Sequence, residues 1–396
     1  MGKAFLKQIA RLMHQADPSA SFAFEFWDGE TIRFGAPPKV TMRLKSKSCG
    51  DQIISKGFLG FGEVYMDGNL EVEGELSELL RLGLAIDFDR HRLSLPHKLW
   101  CRLRALFKRS SRQGASANIA FHYDLGDDFY AQYLDPTMTY SCAYFSKPDD
   151  SLEQAQGNKY EHIARKLMLQ PGETLLDIGC GWGGMLIYAA EKHGVRGTGN
   201  TLSKNQYAYA RKMVADRGLA DRVKILYKDY RQLRGTFDKV VSIGMFEHVG
   251  RKYIPVFFRN LAHLLKPGGV GLLHTIGKDA PSGRDPWTFK YIFPGSYLPT
   301  LSEICRGLAR IGCCVLDVEN LRLHYAQTLS KWSENYERNF DRIRELCDDR
   351  LVRCWRLFLN SAMVGFRHGE SRLFQVLFSN GLNNALPITR AHIYRQ

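Results

Sequence analysis

From about residue 117 onward, short apolar strands alternate with helical stretches. Thr174-Leu175-Leu176-Asp177-Ile178 follows the turn Pro171-Gly172, residues 185–192 have helical periodicity, and 195–198, 223–227, 239–243 and 270–273 are further strand candidates. Such alternation predicts an α/β fold, a doubly wound, mostly parallel sheet with helices on both faces. The last seventy residues read as mostly helical, with aromatics at core spacing (Trp332, Tyr336, Phe340, Trp355, Phe358, Phe366, Phe374).

Asp177-Ile178-Gly179-Cys180-Gly181-Trp182-Gly183-Gly184 joins the first strand of this sheet to its first helix. Glycines there permit a tight turn and let a ligand approach the backbone. A dinucleotide fingerprint would read G-x-G-x-x-G, with an acid about 20 residues later. Here the glycines alternate, Asp177 precedes them, and the second strand ends Gly199-Asn200-Thr201 without an acid. That pattern favours S-adenosylmethionine, whose ammonium needs a carboxylate and backbone carbonyls; NAD is the competing ligand. Lys266-Pro267-Gly268-Gly269-Val270, before the fifth strand, is a further feature of such folds. The fourth strand runs into Gly244-Met245-Phe246-Glu247-His248 and the fifth into His274-Thr275-Ile276-Gly277. Ligands in an open parallel sheet sit at the carboxyl ends of its strands. Glu247 and His274 are therefore expected at the same crevice, where an acid and an imidazole could move or bind a proton-accepting species. Taken singly, each has a structural reading: a helix-capping glutamate and a core histidine.

The first ninety residues read as a small α+β unit: a hairpin over 22–27 and 31–34, a third strand at 40–44 and a helix over 75–86. At the amino terminus Lys3, Lys7 and Arg11 recur every fourth position, which predicts an amphipathic helix rather than a signal peptide. Leu6 stands where a myristoylation pattern has Ser or Thr. No apolar run approaches the roughly 18 residues of a membrane span. The nine cysteines include no C-x-x-C pair, so neither a metal site nor a disulfide framework is expected, and a reducing cytoplasm is the simplest location.

Charge adds a partner. With 55 Lys plus Arg against 41 Asp plus Glu, the formal charge of +14 suggests a polyanion, nucleic acid or an anionic membrane. Eight of the basic residues lie between Arg90 and Arg112 with no acid among them, interleaved with Leu93, Leu99, Trp100, Leu103 and Phe107. The segment reads either as a solvated linker helix or as a basic amphipathic stretch lying on an anionic bilayer. The expected division is an amino-terminal α+β domain at 1–89, a basic linker at 90–117 and a catalytic domain at 118–396.

Nine blocks then match a family in order. They include Tyr123-Asp124-Leu125-Gly126-Asp127-Asp128-Phe129, Tyr140-Ser141-Cys142-Ala143-Tyr144-Phe145, the loop 176–184, Thr201-Leu202-Ser203-Lys204-Asn205-Gln206, Met245-Phe246-Glu247-His248-Val249-Gly250, Leu273-His274-Thr275-Ile276-Gly277, Lys290-Tyr291-Ile292-Phe293-Pro294 and His324-Tyr325-Ala326-Gln327-Thr328-Leu329. These resemble the cyclopropane-fatty-acyl-phospholipid synthases, whose catalytic core the mycolic-acid cyclopropane synthases share. The resemblance covers about 118–380, and the first ninety residues resemble the extra domain of the bacterial phospholipid enzymes.

The resemblance implies a Rossmann-like class I methyltransferase that moves the methyl of S-adenosylmethionine to a cis double bond of an unsaturated phospholipid. A carbocation then forms in the acyl chain, and a bound bicarbonate removes a proton as the ring closes. On the matching positions, bicarbonate would be held by Cys142, Glu247, His274, the backbone of Ile276 and Tyr325. The methyl donor would lie against Tyr140, Ser141, Asp177, Gly179 and Gly181, with Thr201, Leu202 and Gln206 by the ribose and Asp229 and Tyr230 beside adenine. Tyr144, Trp287, Phe293 and Tyr325 are candidates, on spacing, to face the cation, or to be core. The chain departs from some relatives at Ala362, where they carry a cysteine, so a covalent cysteine mechanism is not expected; Cys142 could also simply pack. The resemblance further implies a homodimer that docks peripherally on an anionic phospholipid bilayer from the cytoplasm, with no role for nucleic acid. A sister enzyme making methylene- or methyl-branched chains, a small-molecule methyltransferase and a non-catalytic lipid-binding protein are the other readings.

Overall fold

The computed structural model describes residues 2–86, 125–283 and 285–394. The basic segment 90–112 and Tyr123-Asp124 lie outside the described residues. The chain divides into two compact units.

The larger unit comprises 110–282, 295–331 and 370–396 and carries a seven-stranded sheet. Its strands are β5 (Thr174–Ile178), β6 (Arg196–Thr201), β7 (Val223–Tyr227), β8 (Phe237–Ile243), β9 (Leu265–Gly277), β10 (Cys313–Asn320) and β11 (Arg372–Asn380), in the order β10-β11-β9-β8-β5-β6-β7. β5 to β9 are mutually parallel, as the alternation predicts, and β11 pairs antiparallel with both β9 and β10. Successive side chains point to opposite faces, and at the central strands both faces are buried. On one face Leu175, Val241 and Leu272 pack with Ile163, Leu167 and Leu186; on the other Leu176, Ile178, Val240 and Leu273 pack with Phe257, Phe258 and Ile304. A strand so buried on both sides reads as a continuous apolar run. β11, buried from Leu373 to Ser379, is such a run; the last seventy residues are mostly helical as expected, and β11 is a strand among them that the sequence reading lacks.

The smaller unit comprises 1–109, 283–294 and 332–369. Its four-stranded sheet, in the order β2-β1-β3-β4, contains the expected hairpin β1 (Phe22–Glu25) and β2 (Thr31–Phe34), the expected β3 (Val40–Leu44) parallel to β1, and β4 (Leu70–Gly74), which the sequence reading lacks. The amphipathic helix Gly2–Ala16 buries Leu6, Ile9, Ala10 and Met13. The aromatic-rich helix Asp349–His368 packs on the helices Phe58–Met66 and Leu76–Ala85, so 332–369 belongs to this core although in sequence it lies between β10 and β11 of the larger unit's sheet. Within the same core, the Glu63 carboxylate takes hydrogen bonds from Lys290 at 2.6 Å, Lys56 at 2.7 Å and the Tyr291 hydroxyl at 3.0 Å. Among the described residues no helix is long and apolar enough to cross a membrane, and no cluster of side chains could hold a metal ion.

Candidate functional site

β5 ends at Ile178, and the backbone turns into the helix Gly184–His193 through Gly179, Gly181 and Gly183, at φ values of +84°, +55° and +88°. These are left-handed conformations that side chains rarely adopt, and a Cβ at Gly179 would also lie 2.5 Å from Met245 Cγ. Asn200, at the end of β6, braces the turn: its Oδ1 accepts the Gly179 N–H at 3.2 Å and its Nδ2 donates to the Lys228 carbonyl at 3.0 Å. The loop opens onto a cavity lined by Tyr140 and Ser141, by Asp177, Gly179 and Gly181, and by Thr201, Leu202, Gln206, Asp229 and Tyr230. All ten residues expected around a methyl donor thus border one cavity.

Polar groups here are held from behind. The Gln156 side chain donates to the carbonyls of Thr139 at 3.2 Å and Ser141 at 3.0 Å, and Lys159 Nζ donates to Ser141 Oγ at 2.9 Å. Lys159 is buried, which lowers its pKa to about 8, and burial raises that of Asp177 to about 7. Asp177 Oδ1 is buried without a hydrogen-bond partner. A buried carboxylate oxygen so placed suits an ammonium, which the methionyl end of S-adenosylmethionine carries. Thr201 Oγ1 donates to Gln206 Oε1 at 2.8 Å and accepts the Ser203 N–H at 3.1 Å. Asp229 grips Arg231 at 2.8 and 2.5 Å, so its carboxylate is already neutralised by a neighbouring side chain. Sequence reasoning missed Lys159 and Asn200. Their signals were a lysine in the buried register of the helix Leu152–Leu167 and an amide where a dinucleotide site has its acid.

A second constellation lies at the ends of β8 and β9, where Ile243 and His274 are register partners. Glu247 Oε1 accepts the Ile276 N–H at 2.5 Å, while the buried Oε2 has no partner. Burial pushes this carboxyl up to about 7, against the opposing pull of the Ile276 N–H. Burial also holds the His274 imidazole well below its usual pKa, so it is neutral, and Nε2 is buried without a partner. Glu247 is thereby tied to Ile276, two residues beyond His274 in β9; the Ile276 N–H is already spent on Glu247 rather than open to an anion, which leaves one unused carboxylate oxygen and one unused ring nitrogen. This donor set fits bicarbonate: its hydroxyl can donate to a carboxylate, and its charged oxygens can accept from an imidazole N–H.

Cys142 is fully buried, its thiol donates to the Ala143 carbonyl at 3.2 Å, and burial keeps it protonated. It is a weak donor here and no nucleophile. The Ala143 N–H donates to Thr328 Oγ1 at 3.0 Å, docking the Cys142 segment on the helix Arg322–Arg338, about one turn from Tyr325. Tyr144 is stacked between His162 and His324, with ring centroids 4.1 and 4.7 Å away, so both of its faces are covered. That removes it as a face for a cation. Trp287 is wholly buried in the smaller unit, where its Nε1 donates to Met66 Sδ at 3.3 Å, and Phe293 packs edge-on against Phe358 there.

The family model for mycolic acid cyclopropane synthetase matches residues 110–376, and one for a domain of unknown function matches 9–85. The chain is 38% identical over 370 residues to a cyclopropane-fatty-acyl-phospholipid synthase of Escherichia coli strain K12, covering 91% of this chain and 93% of that one. It is 37% identical over 389 residues to a probable fatty acid methyltransferase of Pseudomonas putida, covering 94% of this chain and 95% of the relative. Among solved structures, the mycolic acid cyclopropane synthase CmaA1 complexed with SAH and CTAB superposes with a TM-score of 0.64 at 36% identity, covering 67% of this chain and 98% of that one.

Proposed function

Because the chain belongs to the mycolic acid cyclopropane synthetase family, we propose that it transfers the methyl group of S-adenosylmethionine to a cis double bond of a phospholipid acyl chain and closes a cyclopropane ring there. When bound, S-adenosylmethionine supplies an electrophilic methyl and bicarbonate a proton-accepting anion. The remaining work falls to the protein. Asp177 offers a buried carboxylate oxygen to the ammonium of the donor, and Lys159 and Gln156 hold Tyr140-Ser141 in place. Glu247 and His274 offer two unused polar atoms that orient a small anion. An anion fixed in an apolar, water-excluding site stabilises positive charge developing on an acyl chain and gives its proton a destination.

The observation that carries this reading is that Glu247 Oε2 and His274 Nε2 are both buried without hydrogen-bond partners, while Glu247 is hydrogen-bonded to Ile276, two residues beyond His274 in β9. The fatty acid methyltransferase name of the Pseudomonas relative favours a second reading, in which the same cation loses a different proton and a branched chain results. Chromatography with mass spectrometry of the acyl chains from unsaturated phospholipid vesicles, after incubation with labelled S-adenosylmethionine, separates the two isomeric products: the reading requires cyclopropane acyl chains carrying the label. Branched chains alone would replace it with the second, and unlabelled lipid would overturn both.

A further inference from the structure

We propose that Gln375, held by Lys166, is a positioning residue that fixes His274 as the neutral tautomer with its proton on Nε2, so that the ring presents a hydrogen-bond donor to the anion. This rests on the anion reading of the Glu247–His274 site. His274, Gln375 and Glu319 form one row across β9, β11 and β10, since Gln375 is the register partner of both others. Residues in such a row lie side by side on one face of a sheet.

Lys166 bridges the row from the helix Leu152–Leu167. Its Nζ donates to Glu319 Oε2 at 2.5 Å and to Gln375 Oε1 at 2.8 Å, and His162 Nε2 meets the same Glu319 oxygen at 2.7 Å. An ammonium can only donate, so the oxygen of the Gln375 amide must face it. The amide nitrogen then faces His274 Nδ1, 3.1 Å away, and an amide nitrogen can only donate. Nδ1 is therefore the acceptor. A neutral imidazole carries one proton, which must sit on Nε2, the buried atom without a partner. Lys166, Gln375 and His274 are each about 1% exposed, so water does not compete for these bonds.

The row has a direction: Glu319 fixes Lys166, Lys166 fixes the Gln375 amide, and the amide fixes the imidazole. Gln375→Glu keeps the shape and reverses the last bond, because a carboxylate facing Nδ1 requires a proton there.

The test uses the full-length protein labelled with ¹⁵N-histidine, with His274 identified by its loss in His274→Gln. Without added anion, the unsubstituted protein should show a protonated Nε2 and an unprotonated Nδ1, and Gln375→Glu should show a protonated Nδ1. In turnover assays Gln375→Glu should need about tenfold more bicarbonate for half-maximal rate, with the half-saturating S-adenosylmethionine concentration unchanged. A proton on Nδ1 in the unsubstituted protein, or a tautomer indifferent to Gln375→Glu, would overturn the relay whatever bicarbonate does. The predicted tautomers together with turnover that ignores bicarbonate would uphold the relay and overturn the anion reading instead.

Discussion

Glu247 accepts the Ile276 N–H at 2.5 Å through one carboxylate oxygen and leaves the other buried without a hydrogen-bond partner. Leaving a buried acceptor unmade is costly, and the cost shows in a carboxyl pushed up to about 7. The carboxylate is half committed to structure and half open to a ligand, which separates its effect on chemistry from its effect on cofactor binding.

Glu247→Gln should lower turnover on unsaturated phospholipid vesicles by about 10²-fold or more while leaving the affinity for S-adenosylhomocysteine within about twofold. Calorimetric titration beside a methyl-transfer assay checks both. Loss of cofactor affinity would contradict the placement of Glu247 outside the methyl-donor cavity.

The same substitution has a signature in stability. The Glu247 pKa is raised from 4.5 to about 7 on folding, so its stabilising contribution is present below pH 4.5 and is lost as pH rises through about 7. A shift of that size corresponds to a loss on the order of 3 kcal/mol above neutrality. Glu247→Gln should therefore unfold at a higher temperature than the unsubstituted protein at pH 8, and the gap should narrow toward pH 5. Thermal scans across that window check the sign.

Asp177→Asn should weaken S-adenosylhomocysteine binding by about 10–100-fold, the usual worth of a hydrogen bond to a charged group. Equilibrium titration at pH 8, where the carboxyl is mostly ionised, reads the effect directly; unchanged affinity would remove Asp177 from the cofactor's ammonium.

Replacing Arg102, Arg104, Lys108 and Arg109 together by Gln should weaken binding to anionic phospholipid vesicles, each cation near the surface contributing about 1 kcal/mol. Vesicle co-sedimentation at low salt checks this. An unchanged partition would make the segment a plain linker.

The parallel sheet and the glycine loop were legible in the sequence because periodicity and glycine placement are local properties. That Glu247 follows β8 and His274 lies in the neighbouring β9 was legible from the succession of strands. β11 was not legible, since an apolar run buried on both faces has no alternation to mark it as a strand. Nor could the row His274–Gln375–Glu319 be read: its members are drawn together by strand order, which places β11 between β9 and β10. The aromatics of 332–369 were legible as core residues, but which core they fill depends on packing against the helices Phe58–Met66 and Leu76–Ala85, far away in sequence.

The central claim, that the unused atoms of Glu247 and His274 hold a proton-accepting anion during methyl transfer to a lipid alkene, is tested most directly by turnover in buffer stripped of carbon dioxide. With unsaturated phospholipid vesicles and labelled S-adenosylmethionine, cyclopropane formation should fall by about tenfold or more on stripping and return as bicarbonate is titrated back, while Glu247→Gln should gain nothing from the addition. Full turnover in stripped buffer would contradict the account.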